Sequence, residues 1–118
     1  MRRTLLIVDD HATFRSFARA VLEASGFDVV GEAVDGASAI EEAGRLNPTV
    51  VLLDVQLPDL DGFAVAERLA ATGGGGPAVV LISSRDASSY RRRLAHSPAR
   101  GFIPKSELSG AAVAALVG

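Results

Sequence analysis

The chain contains no cysteine, and Lys105 is its only lysine. Without cysteine it forms no disulfide, thiolate metal site or thiol nucleophile, which fits a reducing compartment. Its apolar runs fall far short of the roughly 20 residues that a membrane-spanning helix needs. The N-terminus also lacks the long apolar segment of a signal peptide. We therefore expect a cytoplasmic protein that does not associate with membranes.

A strong charge of either sign is also missing. The formal net charge is −2, whereas a domain that binds nucleic acid usually carries a large basic excess. The composition therefore counts against direct nucleic-acid binding. A hydrophobic content of 48% in 118 residues is typical of one compact domain with its own core, here residues 1–118.

Apolar runs alternate with helical patterns along the chain in five units. Runs such as LLIV, VVLL and AVVLI do not alternate with polar residues, which is typical of parallel strands covered by helices on both faces. This predicts a three-layer α/β fold. Expected strands are 5–8, 29–33, 50–55, 79–82 and 101–103, and expected helices are 12–24, 37–46, 62–71, 88–95 and 107–116. Stop signals follow the first four helices at Gly26, Asn47-Pro48, Gly73 to Gly76 with Pro77, and Pro98.

Polar residues lie at or just beyond the ends of four of the expected strands: Asp9, Asp10, Asp54, Ser83 and Lys105. In an open parallel sheet, ligands bind beyond the carboxyl ends of the strands, where the strand order reverses. If the order is 2-1-3-4-5, the first and third strands are neighbours at that point. The three aspartates then converge on one pocket.

Close carboxylates repel one another by about 4 kcal/mol per pair at roughly 4 Å and an effective dielectric of about 20. A hard divalent cation offsets this repulsion, and Mg²⁺ prefers a few carboxylate or carbonyl oxygens together with water. The cluster therefore predicts a magnesium site. A simpler alternative is that each acid only caps the helix that follows its strand.

The segments LLIVDDH, VVLLDVQLPDLDG, VVLISS and GFIPK together resemble the receiver domain of two-component response regulators over essentially the whole chain. The resemblance implies a flavodoxin-like (βα)5 fold with the strand order 2-1-3-4-5. It implies that Asp54 is the phosphoacceptor, which takes a phosphoryl group from the phosphohistidine of a sensor histidine kinase. It also implies that Asp10 and Asp54 bind Mg²⁺ directly, that Asp9 acts mainly through a water, and that the carbonyl of Gln56 completes the protein ligands.

By the same resemblance, Ser83 and Lys105 contact the phosphoryl group and carry the readout. Movement of Ser83 would change the packing of Phe102, which stands at the family's switch position, and so alter the face made by the fourth helix, fifth strand and fifth helix. Phe102 is otherwise simply a core aromatic. One departure concerns the loop at the lysine, because proline precedes Lys105 as Pro104, whereas many family members have it afterwards, where Ser106 stands here.

Two further sets of residues receive a simpler interpretation. His11 follows the acidic pair, but a histidine at a helix start is usually exposed, and hard oxygen ligands disfavour imidazole at such a site. The basic cluster of Tyr90 to Arg93, with Arg85 and Arg100, is interpreted as a solvated helix face rather than a docking surface or a DNA contact.

The sequence therefore predicts a bacterial signalling module, either a stand-alone receiver or part of a transcription regulator with a helix-turn-helix output domain. Its expected partners are a sensor kinase, a downstream protein or output domain, and a second copy after phosphorylation. We expect no enzyme activity beyond its own phosphorylation and dephosphorylation. A magnesium-dependent phosphohydrolase would need an acid two residues after its nucleophile, where His11 and Gln56 stand. A flavin binder would need a Ser/Thr/Gly-rich loop after the first strand.

Overall fold

The computed structural model describes residues 3–71 and 76–118, which contain one five-stranded parallel sheet. The strands are β1 (Thr4–Val8), β2 (Asp28–Ala33), β3 (Val50–Asp54), β4 (Ala78–Ser83) and β5 (Gly101–Pro104). The helices are α1 (Ala12–Ala24), α2 (Gly36–Leu46), α3 (Gly62–Ala70), α4 (Arg91–Ala95) and α5 (Gly110–Val117). The sheet order β2-β1-β3-β4-β5 confirms the predicted α/β fold and strand order.

The core has two halves, one on each face of the sheet. Successive side chains of a strand point to opposite faces, so Leu6 and Val8 pack with α2 and α3, while Leu5 and Ile7 pack with α1 and α5. All four of these side chains are fully buried. Burial on both faces explains why the strand sequences are continuously apolar. None of the described helices has the length and apolar character needed to cross a membrane.

Short polar side chains set several helix boundaries. Asp35 caps α2 through a capping box with Ser38, and Asp61 caps α3 by accepting a hydrogen bond from the backbone N–H of Phe63. At the end of α2, Asn47 adopts a left-handed conformation with φ of 49°, as predicted for a stop signal. Most of the Gly73 to Gly76 signal, residues 73–75, lies outside the described residues.

The predicted beginnings of the last two helices were wrong. Residues 87–90 form a 3-10 turn, with Asp86 as its N-cap accepting a hydrogen bond from the backbone N–H of Ser88, and α4 begins only at Arg91. Residues 105–107 form another 3-10 turn. The last helix begins at Gly110 because Ser109 is its N-cap and accepts a hydrogen bond from the backbone N–H of Ala112.

Gly62, the first residue of α3, packs against the backbone at the end of β3. Its N–H donates a 2.8 Å hydrogen bond to the carbonyl of Val55. A Cβ at this position would lie 2.3 Å from the carbonyl oxygen of Asp54, closer than such atoms can approach. The absence of a Cβ at Gly62 therefore allows α3 to lie directly against the strand end that carries Asp54.

We expect Gly62→Ala to lower the free energy of unfolding by about 1–3 kcal/mol, the usual cost of overpacking a tight site. The matched control is Gly44→Ala, because Gly44 lies within α2 with no atom near its absent Cβ. That change should raise the free energy of unfolding by about 0.5–1 kcal/mol through helix propensity. Urea denaturation of both variants checks this, and an undiminished stability of Gly62→Ala would contradict the assigned packing.

Candidate metal centre at the carboxyl ends of the strands

The fold brings together the polar residues that were predicted from the strand ends. Strand β1 lies between β2 and β3, and β3 pairs with β4, so the residues after β1, β3 and β4 are neighbours. Asp54 pairs in register with Ile82, the residue before Ser83, and Ser83 pairs with Pro104, the residue before Lys105. The strand register therefore places Asp54, Ser83 and Lys105 close together at the carboxyl ends of β3, β4 and β5.

Asp9 and Asp54 are buried carboxylates, with 0% and 3% of their surfaces exposed. Asp9 Oδ1 accepts a 2.7 Å hydrogen bond from the backbone N–H of His11, and Asp54 Oδ1 accepts a 3.0 Å bond from that of Gln56. Neither aspartate is an N-cap, because His11 occupies the N-cap position of α1 and Asp61 that of α3. The alternative that these acids only cap the following helices was therefore wrong.

The ammonium group of Lys105 lies between the two buried carboxylates. Its Nζ is 2.5 Å from Asp9 Oδ2 and 3.0 Å from Asp54 Oδ2. The same nitrogen lies 4.6 Å from the centre of the Phe14 ring, where the ring face attracts a cation. Only 16% of the Lys105 side chain is exposed, so water screens these interactions weakly. The position of the single lysine is thus fixed by three groups.

Burial and ion pairing act on the three pKa values in different directions. Burial raises the pKa of Asp54 above its ordinary value, and the Gln56 N–H and Lys105 offset this only in part. For Asp9, burial is outweighed by the nearby Lys105 and by the His11 N–H, so its pKa is lowered. The pKa of Lys105 is raised, because Asp9 and Asp54 together outweigh the effect of burial. The site therefore sets one ammonium group against two buried acids.

The donor set fits a hard divalent cation. Asp9, Asp10, His11 and Asp54 can each offer one ligand atom, and these atoms all lie within 4.8 Å of one another. Asp9 Oδ2 is buried, and the ammonium of Lys105 is the cation beside it. The set is rich in carboxylate oxygens, which suits Mg²⁺.

His11 lies beside these carboxylates without being enclosed by them. Its Nδ1 is 3.2 Å from Asp9 Oδ1 and 3.1 Å from Asp10 Oδ1, and 69% of its side chain is exposed. This agrees with the predicted exposed position at the helix start. Gln56 is also exposed, and ligation of Mg²⁺ by its carbonyl oxygen stays a prediction.

Ser83 is completely buried, and its hydroxyl contacts Tyr90, which the sequence did not indicate as part of the site. Ser83 Oγ accepts a 3.1 Å hydrogen bond from the backbone N–H of Arg85 and lies 3.1 Å from the hydroxyl of Tyr90. Tyr90 had been placed in a solvated basic cluster, yet it is only 7% exposed. The available signal was that it is the only tyrosine of the chain, followed by three arginines that take the solvent-facing positions.

Tyr90 also lies between two phenylalanine rings. The ring centres of Phe63 and Phe102 are 5.8 Å and 5.7 Å from that of Tyr90, within the range of favourable aromatic contacts. Phe102 is half-buried against the core, which fits the core-aromatic alternative in this state. Its role as a switch stays a prediction. The three rings form an aromatic stack that joins α3, the segment before α4, and β5.

The other members of the basic cluster are exposed, as predicted. Arg93 forms a 2.7 Å ion pair with Asp61, and its guanidinium lies 4.2 Å above the ring of Phe63. With Pro104 before it and Ser106 after it, Lys105 still reaches both carboxylates.

A profile of the response regulator receiver domain matches residues 5–116 of the chain. The chain belongs to the receiver-domain family. It is 37% identical over 108 residues to the virulence-factor transcription regulator BvgA of Bordetella pertussis, covering 91% of this chain and 51% of that protein. It is 28% identical over 111 residues to the DNA-binding transcriptional activator EvgA of Escherichia coli, covering 94% and 54%.

Solved receivers have the same fold. The signal receiver domain of the response regulator NarL from Mycobacterium tuberculosis is 32% identical, with a TM-score of 0.86, 99% of this chain covered and 98% of that chain. The two curated regulators are about twice as long as this chain, which spans roughly half of each. The receiver is therefore the part that is shared with them.

The surplus negative charge predicts a stability effect at Asp54. Because its folded pKa lies above the ordinary 3.8, the ionised form costs stability above the folded pKa, and this cost disappears as the pH falls through that pKa. In EDTA near neutral pH, Asp54→Asn should raise the free energy of unfolding by about 1 kcal/mol or more, the scale of a close carboxylate repulsion.

Urea denaturation over a pH series checks this, and the advantage of Asp54→Asn should shrink as the pH falls towards the ordinary range of an aspartate. Asp28→Asn serves as the control, because Asp28 is an exposed carboxylate on the edge strand β2. A stability of Asp54→Asn equal to or below that of the natural chain, with the control unchanged, would contradict the charge balance described above.

Proposed function

We propose that this receiver acts in the cytoplasm as the phosphoacceptor of a two-component system and that Asp54 takes the phosphoryl group. The observation that carries this proposal is the buried Asp54 carboxylate, held 3.0 Å from the single lysine and next to a second buried acid. Burial raises the pKa of this carboxylate, which favours a role as a nucleophile once a bound metal ion lowers the negative charge of the site.

In the proposed transfer, a carboxylate oxygen of Asp54 attacks the phosphorus of a kinase phosphohistidine. The P–N bond breaks, its electron pair stays on the imidazole nitrogen, and an acyl phosphate forms on Asp54. Asp9, Asp10, Asp54 and the carbonyl of Gln56 would hold Mg²⁺. The bound ion supplies positive charge that lowers the repulsion between the carboxylates and the transferring phosphoryl group.

Lys105 and Ser83 would then stabilise the product. Lys105 already pairs with Asp54 Oδ2, and after transfer its ammonium can pair with a phosphoryl oxygen instead. Ser83 stands one residue beyond the β4 partner of Asp54, where its hydroxyl can donate to another phosphoryl oxygen. These two residues therefore complete the expected contacts to the phosphoryl group.

The expected result of phosphorylation is a changed surface on α4, β5 and α5. Ser83 contacts Tyr90, which precedes α4, and Tyr90 packs against Phe102 in β5. A shift of Ser83 therefore reaches this face through Tyr90 and Phe102. We propose that the face binds a downstream protein, a second copy of the chain, or an output domain. BvgA and EvgA are transcription regulators, whereas a 44% identical stretch of 81 residues belongs to a protein-glutamate methylesterase of Myxococcus xanthus.

The phosphohydrolase alternative remains disfavoured on the geometry of the loop after β3. A general acid two residues after Asp54 would stand at Gln56, whose amide cannot supply a proton at neutral pH. A flavin phosphate is also disfavoured, because Asp9 and Asp10 follow β1 where a flavin would need hydrogen-bond donors for its phosphate. We therefore expect no turnover of p-nitrophenyl phosphate and no binding of FMN.

Intact-mass measurement after incubation with acetyl phosphate and Mg²⁺ tests the proposal. We expect one phosphoryl adduct per chain, absent in Asp54→Ala and in EDTA. It should be unchanged in Asp28→Ala, because Asp28 lies on the edge strand β2 rather than in the acidic cluster. An adduct that survives Asp54→Ala, or no adduct in the natural chain under conditions where Mg²⁺ binding is measured, would overturn the assignment of Asp54.

A further inference from the structure

Ser83 and Tyr90 form a buried hydroxyl pair beside the proposed phosphorylation site. Their oxygens are 3.1 Å apart, and either hydroxyl could be the donor. Ser83 has no exposed surface, and Tyr90 has 7%. Ser83 Oγ already accepts a hydrogen bond from the N–H of Arg85. The direction of the Ser83–Tyr90 hydrogen bond therefore decides which group accepts the one hydrogen bond that the serine hydroxyl can donate.

The surroundings favour Ser83 as the donor. If Tyr90 donated, the proton of fully buried Ser83 would need another acceptor, and the described contacts of its hydroxyl are only those to Arg85 and Tyr90. If Ser83 donates, the phenol hydroxyl of Tyr90 can donate its own hydrogen bond to water, because Tyr90 lines a cavity of about 480 Å³ that is also bordered by Gln56 and Arg85. Only this second arrangement gives both hydroxyl groups an acceptor.

We propose that Tyr90 is a positioning residue: in the unphosphorylated state it holds Ser83 in place by accepting a hydrogen bond from the Ser83 hydroxyl. This inference rests on the proposed function, because it requires that Ser83 later meets a phosphoryl oxygen. A serine hydroxyl carries one proton, so Ser83 cannot donate to Tyr90 and to the phosphoryl group at once. Tyr90 and the phosphoryl group therefore compete for Ser83.

The competition has a defined outcome when a phosphoryl group is present. A hydrogen bond to a charged oxygen is roughly twice as strong as one between neutral groups, so Ser83 transfers its donation from Tyr90 to the phosphoryl oxygen. Tyr90 then loses the hydrogen bond that ties its ring to β4. Because Tyr90 lies between Phe63 and Phe102, its release loosens the aromatic stack at the start of α4.

The removal of the phenol hydroxyl should therefore strengthen binding of a phosphoryl group. Tyr90→Phe keeps the ring and leaves the Ser83 proton without an acceptor only in the unphosphorylated state, so that state alone is destabilised. With Mg²⁺ and beryllium fluoride as the phosphoryl analogue, isothermal titration calorimetry should show about five- to tenfold tighter binding for Tyr90→Phe, the scale of an unpaired buried hydroxyl.

A double-mutant cycle separates this role from simple packing. Ser83→Ala should bind beryllium fluoride several-fold more weakly than the natural chain, and adding Tyr90→Phe to it should change nothing further. Ser84→Ala is the matched control, since Ser84 is the exposed neighbouring hydroxyl, and its affinity should equal that of the natural chain. Thermal melting of each variant verifies that it is folded at the titration temperature.

Tyrosine emission gives an independent readout, because Tyr90 is the only tyrosine and the chain has no tryptophan. Beryllium fluoride should change the emission of the natural chain, and Ser83→Ala should abolish this change at saturating ligand. Unchanged affinity in Tyr90→Phe, or weaker affinity, would overturn the competition. A natural chain that binds no beryllium fluoride and forms no Asp54 adduct would instead overturn the proposed function itself.

Discussion

The ammonium of Lys105 between two buried carboxylates is the contact on which the rest of the site depends. Asp9 and Asp54 lie at the ends of neighbouring strands with almost no exposed surface, and desolvation alone would favour their neutral forms. One lysine allows Asp9 to stay charged and holds Asp54 from the side of β5. One cation against two buried acids leaves a deficit of positive charge. In the proposed function, a divalent metal would offset that deficit and would lower the repulsion between the Asp54 carboxylate and an incoming phosphoryl group.

The fold supplies this arrangement through strand order and close backbone packing. Because β1 pairs with β3, Asp9 and Asp54 lie close together at the carboxyl ends of these two strands. Gly62 then allows α3 to lie against the carbonyl of Asp54. On the other side, the hydroxyl of Ser83 reaches Tyr90, whose ring contacts both Phe63 and Phe102. The site is therefore connected to α3, to the turn before α4 and to β5 by direct contacts, and these contacts are the route that we propose for the response to phosphorylation.

The continuous apolar strands predicted a parallel sheet, and the polar strand ends predicted a site with Asp9, Asp54, Ser83 and Lys105, because both depend on local pattern. The strand order that brings these ends together was implied by the resemblance to receiver domains. The sequence pattern failed at the start of α4 and α5, where 3-10 turns at residues 87–90 and 105–107 precede the two helices. Hydrophobic periodicity does not show where such a short turn replaces the first turn of an α-helix. The contact between Ser83 and Tyr90 could not be predicted either, since burial of Tyr90 depends on the turn before α4 and on packing between Phe63 and Phe102.

The central claim is that the buried charge deficit around Lys105 is a divalent metal site, and Mg²⁺ titration by isothermal calorimetry tests it most directly. The account predicts one Mg²⁺ per chain, with binding abolished or strongly weakened by Asp9→Asn, because Asp9 is a buried carboxylate of the acidic cluster. Asp28→Asn, at the far edge of the sheet, should bind as the natural chain does. Absence of binding at millimolar Mg²⁺, or equal binding by Asp9→Asn, would contradict the account.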